Sequence, residues 1–170
     1  MPSSTLLIRD TICVLEDGIQ LISGLSDDQF QETYTFSKSG IGPHFRHVYD
    51  HYVSFLNGVK GCQVSYELRG RDVSIETTVS VAVSHFEELI LTLQTLSDDD
   101  ANTVLQLDTV HDDESYNIGT TLGRELQFLL SHTLHHFAII RMMVVSLSVP
   151  VSEYFGMAPS TKRYLRTTTS

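Results

Sequence analysis

Apolar residues recur at helical spacing in four long stretches of the chain. In the first, Ile8, Ile12, Leu15, Ile19 and Ile22 alternate four and three residues apart, the interval that lines one face of a helix. Ser4 or Thr5 supplies the N-cap, and the pattern stops near Gly24. Ser26-Asp27-Asp28 starts one further turn, and the polar residues that follow read as a connection. A second helix begins at Ser39-Gly40-Ile41-Gly42-Pro43. Pro43 suits a first turn, where the N–H it lacks has no helical partner anyway. This helix is expected to run to about Leu56 and to end at Asn57-Gly58.

Val79, Val83, Phe86, Ile90 and Leu93 mark a third helix that reaches about Leu96. Its start competes with a strand, because Thr77 to Val83 is rich in β-branched residues; the length of the pattern decides for the helix. Val104 to Val110 then alternates as a strand does, His111-Asp112-Asp113-Glu114 is turn-like, and Ser115 to Thr120 returns as its partner in a small hairpin. The fourth helix starts near Thr120 or Thr121 and reaches about Leu147, with Pro150 to end it. Residues 1–170 therefore read as a single all-α domain, a four-helix bundle with a β-hairpin between helices three and four.

Composition narrows the function classes. With 41% hydrophobic and 19% charged residues, the chain can bury a core that needs neither a disulfide nor a metal to fold. A bound metal would thus serve chemistry. The net charge of −10 leaves no basic face for nucleic acid or an anionic membrane, so neither is expected as a partner. The one basic cluster, Lys162-Arg163-Tyr164-Leu165-Arg166, reads as a solvated tail. Cys13 and Cys62 form neither a CxxC nor a disulfide framework. Cys13 sits in an apolar stretch and reads as a small buried hydrophobe, which fits a reducing, cytoplasmic setting. The acidic first thirty residues lack a secretory signal. The most apolar run, Phe137 to Val151, is interrupted by Arg141, Ser146, Ser148 and Pro150 and is too short to span a bilayer.

Six of the eight histidines fall in two clusters. At about 100° per residue, His44, His47 and His51 share one face of helix two within roughly 60°. In helix four, His132 and His136 stack one turn apart, so both imidazoles can reach one ion. His135 points about 60° away from His132. One histidine from helix two with the pair from helix four would leave positions open for water or substrate, the pattern of a catalytic site. Spacing alone leaves His44, His47 and His51 equivalent. A purely structural account would have to satisfy several core imidazoles by hydrogen bonds. His85 and His111 are isolated and receive no function.

The stretch from Gly40 to Tyr52, with Pro43-His44-Phe45-Arg46-His47-Val48-Tyr49-Asp50-His51 at its centre, resembles the helix-two motif of the DinB/YfiT-like family of metalloenzymes. Arg124-Glu125-Leu126-Gln127-Phe128 followed by Ser131-His132-Thr133-Leu134-His135-His136-Phe137-Ala138 resembles its last-helix motif. The segment Tyr66-Glu67-Leu68-Arg69-Gly70-Arg71-Asp72 with Ile75-Glu76, and the tail Phe155-Gly156-Met157-Ala158-Pro159-Ser160-Thr161, are similar to a subgroup. The resemblance implies a bundle with a histidine triad on one divalent ion: His47, followed by Val48-Tyr49-Asp50, with His132 and His136. Zinc or nickel is the first expectation, and iron, manganese or copper suit the same imidazoles. It also implies a small-molecule substrate, a low-molecular-weight thiol as a candidate co-substrate, and a homodimer.

Around that triad, His51 is a candidate proton shuttle or a partner that orients a ligand, as is His44. Asp50 and Glu125 are candidates to accept the distal N–H of a ligand imidazole, with Glu125 also a candidate for proton transfer. Ordinary surface carboxylates are the alternative for both. Arg69 and Arg71 are candidate contacts for a substrate anion, against simple pairing with the local acids such as Glu76; Tyr66 is a weaker candidate. The function expected is a metal-dependent hydrolase or thiol S-transferase, with a non-enzymatic metal-binding or sensing bundle as the alternative.

Overall fold

The computed structural model describes residues 5–34, 36–67 and 70–168. Helix α1 spans Thr5–Ile22; of its two expected caps, Ser4 lies outside the described residues. The turn expected after Ser26 is a short helix α2, Asp27–Gln31. Its cap is reciprocal: the Ser26 hydroxyl accepts from the Gln29 N–H at 3.2 Å, and the Ser26 N–H donates to the Gln29 side chain at 3.0 Å.

Helix α3, Ile41–Gly61, runs past the expected stop at Asn57-Gly58 and ends on Cys62 in the left-handed conformation, φ 56°. Gly58 has another purpose. A Cβ there would lie 2.6 Å from the Gln63 carbonyl oxygen and 2.7 Å from the Val64 Cα, because strand β1, Gln63–Ser65, doubles straight back over the helix end. Short helix α4, Val73–Thr77, lies where only a connection was expected; Asp72 caps it by accepting from the Ser74 N–H at 2.9 Å. Helix α5, Val79–Leu93, resolves the β-branched stretch as helix and stops before Leu96. Asp27 of α2 caps it across the fold, accepting from the Val79 N–H at 2.8 Å.

After a 3-10 turn, Asp98–Asn102, come β2, Val104–His111, and β3, Glu114–Thr121. Their register pairs Val104 with Thr121 and His111 with Glu114. Asp112 and Asp113 take φ 50° and 64°, the mirror-image two-residue turn whose twist matches a hairpin. The sequence reading missed the third strand: β1 pairs parallel to β2, Gln63 opposite Gln106 and Ser65 opposite Asp108. Three residues are too few to show an alternation.

Helix α6, Leu122–Ser146, follows β3 directly, its N-cap being Thr121. The basic cluster expected to be a solvated tail lies on helix α7, Pro159–Thr168, which buries none of its residues. Lys162 pairs with Asp17 at 2.7 Å and Arg163 with Asp10 at 3.1 Å, which ties α7 to α1. Among the described residues α6 is long and apolar enough to cross a membrane by length and composition, longer than the Phe137–Val151 run. Its buried residues, among them Leu126, Leu129, Phe137 and Ile140, line the core.

The four long helices form the bundle: α1 packs on α5 and α6, and α3 packs on α5 and α6. Phe45 of α3 sits at the centre, its ring 5.9 Å from Phe30, 5.2 Å from Phe86 and 5.4 Å from Phe137. One residue of each of α2, α5 and α6 thus closes on a single side chain. Cys13 is exposed, contrary to expectation: it lies outside the stripe formed by Thr11, Val14 and Leu15 that faces the core.

Candidate metal centre

Helices α3 and α6 are linked inside the core. The Thr133 hydroxyl donates to the Leu129 carbonyl at 2.8 Å, so the Tyr52 hydroxyl must be the donor in its 3.0 Å bond to Thr133 Oγ1. Both side chains are fully buried, and burial pushes the Tyr52 pKa up. The residues just before this link are His51 and His132, so it fixes the register in which the two histidine clusters meet.

They meet closely. Ring centroids of His47 and His132 are 5.0 Å apart, His47 and His136 4.7 Å, and His132 and His136 4.5 Å. His51 is 4.4 Å from His47 and 4.3 Å from His132. His47, His51 and His132 each offer a ring nitrogen within 4.8 Å of the other two. His51 and His136 are buried, His44, His47 and His132 half-buried, and His135 exposed.

Hydrogen bonds set several of the ring faces. His51 Nδ1 lies 2.8 Å from the His47 carbonyl. A carbonyl only accepts, so Nδ1 carries the proton and the lone pair is on Nε2. His44 Nδ1 and His136 Nδ1 are 2.8 Å apart, one donating to the other. Burial, and then the charge that His132, His47, His44 and His135 would carry, push the His136 pKa down to about 2. Burial followed by His135 lowers that of His44. Near neutral pH both are neutral imidazoles, the state that ligates metal.

An aromatic wall closes one side. Tyr66 stacks on His51 at 5.4 Å, Phe128 stacks on His132 at 5.6 Å, and the two wall rings touch at 5.3 Å. Behind the wall is Glu125, only 1% exposed. Its Oε2 accepts from the Tyr66 hydroxyl at 2.8 Å and its Oε1 from Thr120 at 2.7 Å. Burial and the Glu125 charge push the Tyr66 pKa up, so the phenol keeps its proton.

The two carboxylates have partners of their own. Glu125 holds Tyr66 and Thr120, and Asp50 accepts from Arg46 at 2.8 Å, while Arg46 Nε donates to Glu76 at 2.6 Å. Arg46 is the guanidinium that ties α3 to α4, and the sequence reading passed over it although its spacing from Asp50 is the helical i, i+4 of an ion pair. No local signal links Tyr66 to Glu125. Arg71 is exposed on the segment leading into α4, and Arg69 lies outside the described residues. His85 donates to the Val81 carbonyl at 2.8 Å against Tyr49. The side chain of His111 lies outside the described residues.

The sequence profile of the DinB superfamily matches residues 16–140. Over 106 residues the chain is 27% identical to FK506-binding protein 5 of Rhizopus delemar, a match that covers 61% of this chain and 28% of that protein. The chain therefore spans little more than a quarter of that relative's length. The crystal structure of a DinB-like protein from Bacillus cereus superposes with a TM-score of 0.59 at 14% identity, over 82% of this chain and 89% of that one. Those two chains share a fold.

Proposed function

The chain belongs to the DinB superfamily, and on that premise we propose that it binds one divalent ion through His47, His132 and His136 and acts as a metal-dependent enzyme on a small molecule. The supporting observation is the convergence of imidazoles from α3 and α6, their rings 4.5 to 5.0 Å apart, in a setting that keeps His136 neutral. Such donors suit zinc or nickel first, then iron, manganese or copper. When bound, the ion supplies Lewis-acid chemistry, either making a water more acidic or holding a small thiol as its thiolate.

Hydrolysis and thiol transfer both fit these residues, since a bound water and a bound thiol would each give up a proton to solvent or to a neutral imidazole. Glu125 has both oxygens engaged, by Tyr66 and by Thr120. Tyr66 and Phe128 keep water from the His51 and His132 edge of the cluster. A homodimer is the assembly proposed with this reading, to be read by light scattering.

Protein purified without a histidine tag should carry close to one ion per chain by elemental analysis. His47→Ala and His136→Ala should each lose it; unchanged metal content in both would remove the site. Thiol-transfer and esterase substrates tried with each candidate metal then test catalysis. Turnover with one metal, absent in both variants, supports an enzyme, whereas tight binding with no turnover returns the bundle to sensing or storage.

A further inference from the structure

We propose, resting on the metal reading above, that His51 is a ligand of the same ion, so that α3 and α6 supply two imidazoles each. Taken in order, His47, His51, His132 and His136 form a closed ring of neighbours with centroid separations of 4.4, 4.3, 4.5 and 4.7 Å. His51 makes the two shortest of these. It also belongs to the trio whose ring nitrogens lie within 4.8 Å of one another. By ring nitrogens His51 thus stands with His47 and His132, while His136 adjoins that trio by its ring, 4.5 Å from His132 and 4.7 Å from His47.

Its tautomer points the same way. Metal-bound histidines ordinarily donate their other N–H to a carboxylate or backbone carbonyl, which fixes the ring and raises its basicity. His51 Nδ1–H does this to the His47 carbonyl at 2.8 Å. The stacked Tyr66, itself held by Glu125, prevents the ring from swinging. A proton shuttle needs the opposite properties: a second nitrogen able to pass the proton on, and a route to solvent. His51 has its Nδ1 tied to backbone and is 5% exposed.

The chemistry of the site changes accordingly. Four imidazoles would fill a tetrahedral zinc, so an open position would call for an ion that takes five or six ligands, such as nickel, iron or manganese. Four neutral donors would also leave the ion's double charge unbalanced and so favour an anionic ligand such as a thiolate or carboxylate.

Nickel-loaded, untagged protein tests this by X-ray absorption, which counts bound imidazoles, together with Ni2+ affinity from chelator competition. The informative variant is His51→Asn, whose amide can still donate to the His47 carbonyl and so keeps a purely structural role. Wild type should show four imidazoles and the variant three, with Ni2+ affinity lower by at least about 10-fold. His51→Ala, checked for fold by circular dichroism, should match it. Three imidazoles in wild type with unchanged affinity in His51→Asn would overturn the inference and leave the metal reading standing. A wild-type protein that binds no Ni2+, Zn2+ or Fe2+ would overturn both.

Discussion

At the scale of single residues, the site is controlled by which ring nitrogen of each imidazole holds a proton, and backbone groups decide that as much as side chains do. The His47 carbonyl fixes His51, and His44 with His136 form a pair that shares one proton between two Nδ1 atoms. Without an ion, this arrangement carries a stability cost in acid. The His136 pKa falls from 6.5 to about 2 on folding. Between those values the unfolded chain binds a proton that the folded chain refuses. Stability of the chelator-treated protein should thus be full above pH 6.5 and fall as pH drops below it, by on the order of 1 kcal/mol per pH unit from this one group. Urea midpoints at pH 7 and pH 5 measure the slope, and His136→Asn should flatten it. The spacing of His132 and His136 was legible in the sequence. The engagement of Glu125 by Tyr66 was not, since the two lie 59 residues apart.

At the scale of elements, glycines decide where helices approach other backbone. A Cβ on Gly42, in the first turn of α3, would drive into the Glu76 carbonyl at the end of α4. Arg46 clamps the same junction from the next turn through Glu76. Gly42→Ala should therefore cost about 1–3 kcal/mol by overpacking. Gly61, the last residue of the same helix, has nothing within 4 Å of its Cβ position. Gly61→Ala should be neutral or stabilising by up to about 1 kcal/mol. Thermal melts of the two variants compare them directly, and equal effects would show that the Glu76 contact does not constrain α3. This distinction lies outside sequence reading: Gly58 looked like a helix stop, but β1 passing over it is what requires a glycine there.

At the scale of the whole molecule, the aromatic centre around Phe45 holds α2, α5 and α6 to the helix that carries His44, His47 and His51. Phe45→Ala should cost about 3–5 kcal/mol and lower metal affinity as well, because the two histidine faces lose their common support. Denaturant melts and chelator competition on the same variant read both effects. The ion pairs of α7 involve partly exposed side chains and add little by comparison. By itself the sequence determined the four long helices, the hairpin and the two histidine faces, because each is a local periodicity of apolar or chemically active residues. Tertiary structure alone decided that β1 joins the sheet, that Arg46 reaches Glu76 and Tyr66 reaches Glu125, and that His51 closes on His132. Those outcomes depend on pairs distant in the chain, whose approach is set by packing and leaves no periodic trace.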